Sequence, residues 1–469
     1  MENHDTEELE LQKLERNVSA YNSLCEISAA LDFKDETALV AVPEDEVIEG
    51  KLVTKLYVIM SDRRKIPLND DDLLIQGLYT KKSPYPMERW SKESRDAYLR
   101  SEYETDLPFT FELCRDLYAH YIDFGDSRWC SYMACWTLGT YFHRLFRSYP
   151  YIHLSGTMQS GKTKTMELTA ALAFNGELTC NSTAAYIIRV VNDNHATCCI
   201  DETENLKGTK DENTKAVIAI FNSGYKKSGT SGKAEQLGNS KKWVTKRYSS
   251  YSPKMFASIA GLEDSLTSRC VPIAMMRSTD DEIKNREMDE EAPEFQELRD
   301  ALYLCLMGCW QEVRAKYADI QDAQIVGRDW ELWKPVLAIA QAIDLTGELY
   351  ETLHELAVEN TVQKKETALE NFITPKLLAA LENLTKNSDG QMFVTFEDVT
   401  ACLVEFSPDD FGWLRSPQSA IAANRWIGKE LRNAGVVDGK SHLKKFEGKA
   451  VKGYYLSHER IAKRITAYQ

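Results

Sequence analysis

Little in this chain points to a membrane, an export route or a metal cage, and each shortfall removes a class. No apolar run approaches the roughly 18 residues that a bilayer span requires. The opening stretch, MENHDTEELELQKLER, is acidic and polar where a secretory leader is basic and then apolar, so a cytoplasmic protein with no membrane attachment is expected. The 11 Cys are scattered without paired zinc spacings, and adjacent Cys198 and Cys199 sit in an apolar stretch, which reads as reduced core thiols. Basic side chains are in deficit, 57 against 72 acidic ones, and a formal net charge of −15 excludes a general nucleic-acid coat. The deficit is uneven. Residues 1–50 carry 14 acidic and 3 basic side chains, a net of −11, whereas residues 425–469 carry 11 basic and 4 acidic, a net of +7. A basic end on an acidic chain is the local field that a polynucleotide backbone feels. At 469 residues the chain has room for about three domains.

What is present centres on Tyr149–Thr163, YPYIHLSGTMQSGKT. Its core, Gly156, Thr157, Met158, Gln159, Ser160, Gly161, Lys162 and Thr163, fits the phosphate-binding loop G-x-x-x-x-G-K-[ST]. An apolar run (Tyr151, Ile152, Leu154) precedes it as a strand, and Met166–Phe174 follows as a helix. That context aims loop amides and a helix N-terminus at an anion. Glycines at 156 and 161 let the backbone approach phosphate oxygens. Lys162 is expected between the β- and γ-phosphates of ATP, and Thr163 on Mg²⁺. The plain alternative is a glycine turn before a helix with a solvated lysine. Gly229-Thr-Ser-Gly-Lys233 mimics the motif without its spacing or its strand, and reads as a loop.

A second strand, Glu177–Asn181, and a helix capped by Asn181 or Ser182 lead to Ala196-Thr-Cys-Cys-Ile-Asp-Glu202. An apolar strand ending in Asp-Glu is the other half of a nucleotide signature: Asp201 for the Mg²⁺ shell, Glu202 to polarise the attacking water. A solvated strand end is the alternative. Elsewhere, residues 1–30 read as a helix suited to a protein partner or to a plain surface. Residues 37–60 read as strands, 61–108 as irregular, and 109–148 as an aromatic-rich helical pair. Residues 281–300 are an acidic linker or helix start. Near the C-terminus, Phe372–Leu384, Phe396–Phe406 and Asn424–Ala434 read as three helices, and Val436–Lys440 and Lys452–Leu456 as two strands with a Gly-rich turn, followed by a final helix.

These stretches, together with IFNSGYKKSG (Ile220–Gly229), SPKMFASIAGLEDSLTSRCVPIAMMR (Ser252–Arg277), GRDWELWKPVLAIA (Gly327–Ala340), ITPKLLAAL (Ile373–Leu381) and KGYYL (Lys452–Leu456), resemble a family of helicase-like P-loop ATPase domains of bacteria, phages and mobile elements. About two thirds of the chain is covered. The resemblance implies an α/β, AAA+-like core, a parallel sheet flanked by helices with an extra strand between the loop strand and the Asp-Glu strand. Around it stand a helical lid, a C-terminal winged-helix-like domain and a smaller N-terminal α+β region. The corresponding divisions are 1–108, 109–280, 281–368 and 369–469. Lys164 joins the nucleotide-binding set, and Ser258 becomes a sensor of the γ-phosphate. Arg269 becomes a finger reaching a neighbouring subunit's nucleotide, and Arg328 a lid sensor closing on the phosphates. A homo-oligomer, a ring and possibly a hexamer, is implied. The Lys226–Arg247 segment, with Tyr225, Trp243 and Tyr248, is expected to meet DNA in a ring's pore or else to be a solvated loop. Residues 425–464 are expected to meet DNA through Arg425, Lys429, Arg432, Lys440, Lys444, Lys445, Lys449 and Lys452. The expectation is an ATP-driven DNA motor or remodeller. An ATP-switched regulator or defence-system assembly ATPase is the alternative, and a small-molecule kinase fits less well.

Overall fold

Alternating apolar and polar residues after Leu31 build an antiparallel sheet of β1 (Leu31–Lys34), β2 (Thr37–Ile48), β3 (Lys51–Met60) and β4 (Lys65–Pro67), paired in chain order. The computed structural model describes residues 24–466 except 35, 181, 204–210, 237–242, 260, 372, 389, 416–419 and 447–448. The helix expected over residues 1–30 therefore falls outside the described residues up to 23, and Cys25–Glu26 form a short strand beside Leu78–Tyr79. The contacts divide the chain into two units, Met1–Val358 and Glu359–Gln469.

In the first unit one hydrophobic core runs from Leu31, Val40 and Ile59 through Trp136 and Leu154 to Trp333 and Leu353. The divisions expected at 108/109 and 280/281 thus lie inside a shared core. Residues 61–108 are more ordered than their Pro, Asp and Lys content implied. They include helices Asp70–Ile75 and Lys92–Leu99, capped by Asn69 and Ser91. Helices α1 (Leu107–Tyr121) and α2 (Arg128–Phe142) follow. From Cys130 to Phe142 only Ser131 of α2 is not buried. A helix apolar on all sides belongs inside. The Trp136 indole donates to the Pro150 carbonyl (2.9 Å), and the Tyr141 hydroxyl donates to the Leu172 carbonyl (2.9 Å).

The central layer comprises β5 (Tyr151–Gly156), α3 (Lys162–Leu172), β6 (Glu177–Thr179), α4 (Ala184–Asn194), β7 (Cys198–Ile200), α5 (Glu212–Ser223), the hairpin β8 (Thr230–Gln236) and β9 (Trp243–Ser249), β10 (Lys254–Ser258) and β11 (Cys270–Met275). Among the described residues the order β11-β5-β10-β7-β6 forms a parallel sheet, so β10 separates the loop strand from the strand ending before Asp201. Its strands are near-continuous apolar runs because helices cover both faces. The cap of α4 is Thr183, not Asn181 or Ser182. Gly229–Lys233, the motif mimic, enters β8. Helices α6 (Pro293–Asp319) and α7 (Gly327–Ile343) pack on each other and on α1 and α2, with α6 also reaching α3, and α8 (Glu348–Asn371) follows. The acidic stretch forms a short helix, Asp281–Asn285, before α6 begins.

The second unit has its own core, with Leu381, Leu403, Ile427, Leu431 and Leu456. Its elements are α9 (Ile373–Thr385), β12 (Gln391–Thr395), α10 (Phe396–Phe406), α11 (Ala420–Asn433), β13 (His442–Phe446), β14 (Lys449–Ser457) and α12 (His458–Thr466). The sheet is antiparallel in the order β12-β14-β13. Two expectations need correction. The first hairpin strand is His442–Phe446, not Val436–Lys440, and β12 had no counterpart in the sequence reading.

Candidate nucleotide site

The loop between β5 and α3 is shaped by two glycines. A Cβ on Gly156 would lie 2.2 Å from the Met275 carbonyl oxygen of β11, so only glycine fits there. Gly161 has φ +85° and opens α3 from the left-handed region, while Gln159 takes φ +62° at the bend. Thr157, Met158 and Gln159 are exposed at the tip. The Arg277 Nε, just past β11, donates to the Met158 carbonyl (3.0 Å).

Lys162 is buried, and its ammonium donates to the carbonyls of Gly156 (2.9 Å) and Thr157 (2.8 Å). The cation therefore lies folded into its own loop, held by neutral oxygens that a phosphate's charge outcompetes. The next residue points past β10 to the end of β7: the Thr163 hydroxyl donates to Asp201 Oδ2 (2.9 Å). Asp201 Oδ1 accepts from the Glu202 amide (2.8 Å), and the Asp201 amide donates to the Thr179 carbonyl (3.0 Å). Glu202 is exposed and takes φ +54°, a left-handed conformation that a non-glycine residue holds only when its surroundings insist.

The core is P-loop NTPase-like. A hydroxyl and a carboxylate oxygen side by side are the hard ligands that Mg²⁺ takes, so the residues present fit that ion.

Lys164 faces the other way. Its ammonium donates to the carbonyls of Ile283 (3.0 Å) and Arg286 (2.5 Å), tying α3 to the segment after the sheet. Ser258 ends β10 opposite Ser155, but its hydroxyl is buried and bonded to His153 Nε2 (2.8 Å). Burial pushes His153 down to about 4, so the imidazole is neutral.

Arg269 and Arg328 are not at the loop. Arg269 precedes β11, and its carbonyl accepts from the Tyr151 amide where β5 begins (3.2 Å). Gly156 lies five residues further along β5 from Tyr151, on the order of 17 Å at strand rise. Arg328 stands with Arg269 rather than with the phosphate loop: both guanidiniums lie over the ring of Tyr225, at 5.1 and 5.2 Å from its centroid. The N-terminus of α7 thus stands beside Ser268, just before β11.

Two findings were not read from sequence. Glu167, one turn after Thr163 on α3, has its carboxyl pushed up by burial and then by Glu290 and Asp201; the i,i+4 spacing from Thr163 was the available signal. The basic segment is also partly committed. Lys226 pairs with Glu331 (2.7 Å), and the Lys227 ammonium donates to the Arg144 carbonyl (2.5 Å). Tyr225 is buried, and Tyr248 packs against the core. Lys241 and Lys242 lie outside the described residues, as do the side chains of Lys233 and Trp243.

No protein-family model matches the chain, and no curated protein matches it. Among solved structures, the apo A form of the NrS-1 C-terminal region is similar at 12% identity, covering 86% of this chain and 94% of that one, with a TM-score of 0.35. The SCCmec type IV Cch active helicase is similar at 11% identity over 91% and 95%, with a TM-score of 0.36. Cdc6p from Pyrobaculum aerophilum is similar at 12% identity over 71% and 91%, with a TM-score of 0.15. Likenesses this distant leave function to the chain's own geometry. No described helix is long and apolar enough to cross a membrane.

Proposed function

We propose that the chain is an AAA+-like ATPase that works as an oligomer to move along or remodel DNA. The observation that carries the ATPase reading is the 2.9 Å bond from Thr163 to Asp201, which brings the loop helix and the Asp-Glu strand to one point. In this reading Lys162 leaves the Gly156 and Thr157 carbonyls for the β- and γ-phosphates. Thr163 and Asp201 hold Mg²⁺, which neutralises charge on the phosphate oxygens. Glu202 orients a water and takes its proton as the new O–P bond forms and the bond to the ADP oxygen breaks.

The DNA part draws on the second unit. Along α11 the residues Ala423, Ile427 and Leu431 are buried, while Arg425, Lys429 and Arg432 are exposed. Lys440, Lys445, Lys449 and Lys452 are exposed around the β13–β14 hairpin. Helices followed by a basic hairpin suit a winged helix-turn-helix contact with phosphates.

A regulator without motor activity is favoured by one observation: Lys226, Lys227, Tyr225 and Tyr248 are engaged by their own chain, which leaves less of that segment to grip a strand. Nucleotide binding and hydrolysis test the ATPase reading. Lys162→Ala is expected to lose ATP binding, and Glu202→Gln to bind ATP while hydrolysing at least about 100-fold more slowly. Parent-like hydrolysis by both variants would refute it. Hydrolysis unaffected by single- or double-stranded DNA, with no salt-sensitive binding, would favour the regulator.

A further inference from the structure

The antiparallel sheet of the second unit, β12-β14-β13, turns one face to that unit's core, where Val394 of β12 and Tyr454 and Leu456 of β14 are buried. The alternate residues of each strand point the other way. Register sets Phe393 opposite Tyr455 and His442 opposite Gly453, so three rings share the outer face. Tyr455 is the middle one. Its ring centroid lies 5.2 Å from that of Phe393 and 5.4 Å from that of His442, with the planes at 62° and 67°. Gly453 makes room for this group, because a Cβ there would lie 2.8 Å from Phe393 Cζ. Tyr455 is 40% exposed, a large ring open to solvent on a sheet whose core lies on the opposite side.

Cations and a cleft border the rings. The Lys444 ammonium lies over Phe393, 5.5 Å from its centroid, and Lys440, Lys445, Lys449 and Lys452 stand exposed around the β13–β14 hairpin. Beside Tyr455 opens a cavity of about 390 Å³, within the roughly 300–1,000 Å³ that small ligands fill. Gln391, Asp438, Lys440, His442 and Arg460 line it with Tyr455. The Arg460 guanidinium donates to the Gly435 carbonyl (2.8 Å) and pairs with Asp438, which fixes that wall of the cleft. The Gln391 amide brings both donors and an acceptor to the same space.

Rings to stack on, ammoniums to meet phosphates and a polar cleft are the parts of a single-strand platform. A duplex has no use for the rings. It buries the faces of its bases in its own stack and shows only their edges in the grooves. An unpaired base offers its face, and stacking on an aromatic side chain is tolerant of sequence. The charge of the surface points the same way. Residues 425–469 carry a net of +7, and the acid that lines the cleft, Asp438, is already paired with Arg460, which favours a polyanion as the occupant.

We propose that the outer face of β12-β14-β13 holds an unpaired base of a single DNA strand. The base stacks on Tyr455, its edge meets the cleft at Gln391, and the hairpin lysines take the flanking phosphates. The proposal rests on the reading of the second unit as a DNA contact and adds to it a second surface. The basic side of α11 meets phosphates of a duplex, and the sheet takes the strand where the duplex is open.

The test compares binding of the full chain to a short oligo-dT strand and to a duplex. Tyr455→Ala is expected to weaken binding of the strand about 5- to 100-fold and of the duplex by no more than about twofold. Tyr455→Phe, which keeps the ring, should stay within about threefold of the parent on both. The ratio of parent to Tyr455→Ala affinity should hold as salt rises, because stacking releases no counterions. A strand carrying 5-iodouracil should, on irradiation, crosslink to the peptide that contains Tyr455. A Tyr455→Ala chain that binds the strand like the parent, or that loses strand and duplex alike, overturns the proposal, as does a crosslink confined to the first unit. Salt-sensitive duplex binding by the parent would still leave the DNA-contact reading in place. A parent that binds neither strand nor duplex overturns that reading, and the proposal with it.

Discussion

His153 sits in β5, directly under the site, and its environment fixes how the fold answers acid. Its imidazole is buried and held at about 4, against an ordinary 6.5, so the native state binds fewer protons than the unfolded chain. The stability it contributes is complete above pH 6.5 and is lost as pH falls toward 4. At pH 5 the loss is about 2 kcal/mol. Buried His143, held at about 3, acts in the same direction. His153→Gln, which keeps a donor for Ser258, is expected to shrink the difference in unfolding free energy between pH 7 and pH 5 by about 2 kcal/mol. Urea titrations at both pH values check this; parallel losses in parent and variant would clear His153 of the effect. Glu167 has the opposite sign. Its carboxyl is pushed up, so its contribution is favourable below its ordinary range and is lost as pH rises through the folded value. Glu167→Gln should therefore stabilise the Mg²⁺-free protein at pH 7, by about 0.5 kcal/mol, and the gain should vanish at pH 4. A thermal melt at each pH reads the difference.

Helix α3 carries the loop's lysine and threonine, and its other end is held by a cation from the N-terminal region. The Arg89 guanidinium donates to the carbonyls of Ala170 (2.8 Å), Ala171 (2.8 Å) and Ala173 (3.0 Å), acceptors that the helix itself leaves open. Arg89→Met should cost about 1–3 kcal/mol and speed hydrogen exchange in the last turn of α3, while leaving the β2–β3 ribbon as protected as before. Uniform loss of protection would refute this. Arg89 shows where sequence reading stops. The loop, α3 and the strand before Asp201 were legible because each is local: glycines at fixed spacing, an apolar run, and acids at its end. Arg328 was legible only as an arginine near a helix start, because its place depends on where α7 packs. Tyr225, aromatic among lysines, looked like a stacking platform, but it is buried beneath two arginines. The stretch at Val436 failed for another reason. Val436 and Val437 enter the core of the second unit as a loop, which Arg460 pins by bonding the Gly435 carbonyl (2.8 Å) and pairing with Asp438.

For the whole molecule, shared cores decide which pieces stand alone. Residues 24–108 behave as part of the first unit. Trp90 stacks on Tyr303 of α6 at 5.3 Å, the Ser91 amide and hydroxyl bond Asp300 (2.8 and 2.5 Å), and half-buried Phe33 meets Trp310. Removing them uncovers Tyr303, Trp310 and the surrounding leucines, each worth about 1.5–3 kcal/mol of burial. That exceeds the margin by which a domain is usually stable. A chain beginning at residue 109 is therefore expected to aggregate or to expose apolar surface to a hydrophobic dye. Residues 359–469 contain a separate core and a capping box, in which Thr395 and Asp398 bond each other's amides (2.8 and 3.1 Å). This fragment should fold alone and unfold in one cooperative step. Its basic face should bind duplex DNA with an affinity that falls steeply with salt, and reversing Lys429 and Arg432 to Glu should remove that dependence without moving the melting temperature by more than a few degrees. A fragment that melts cooperatively but ignores DNA at low salt would leave this unit a protein contact, and the motor would have to take its grip from the β8–β9 hairpin.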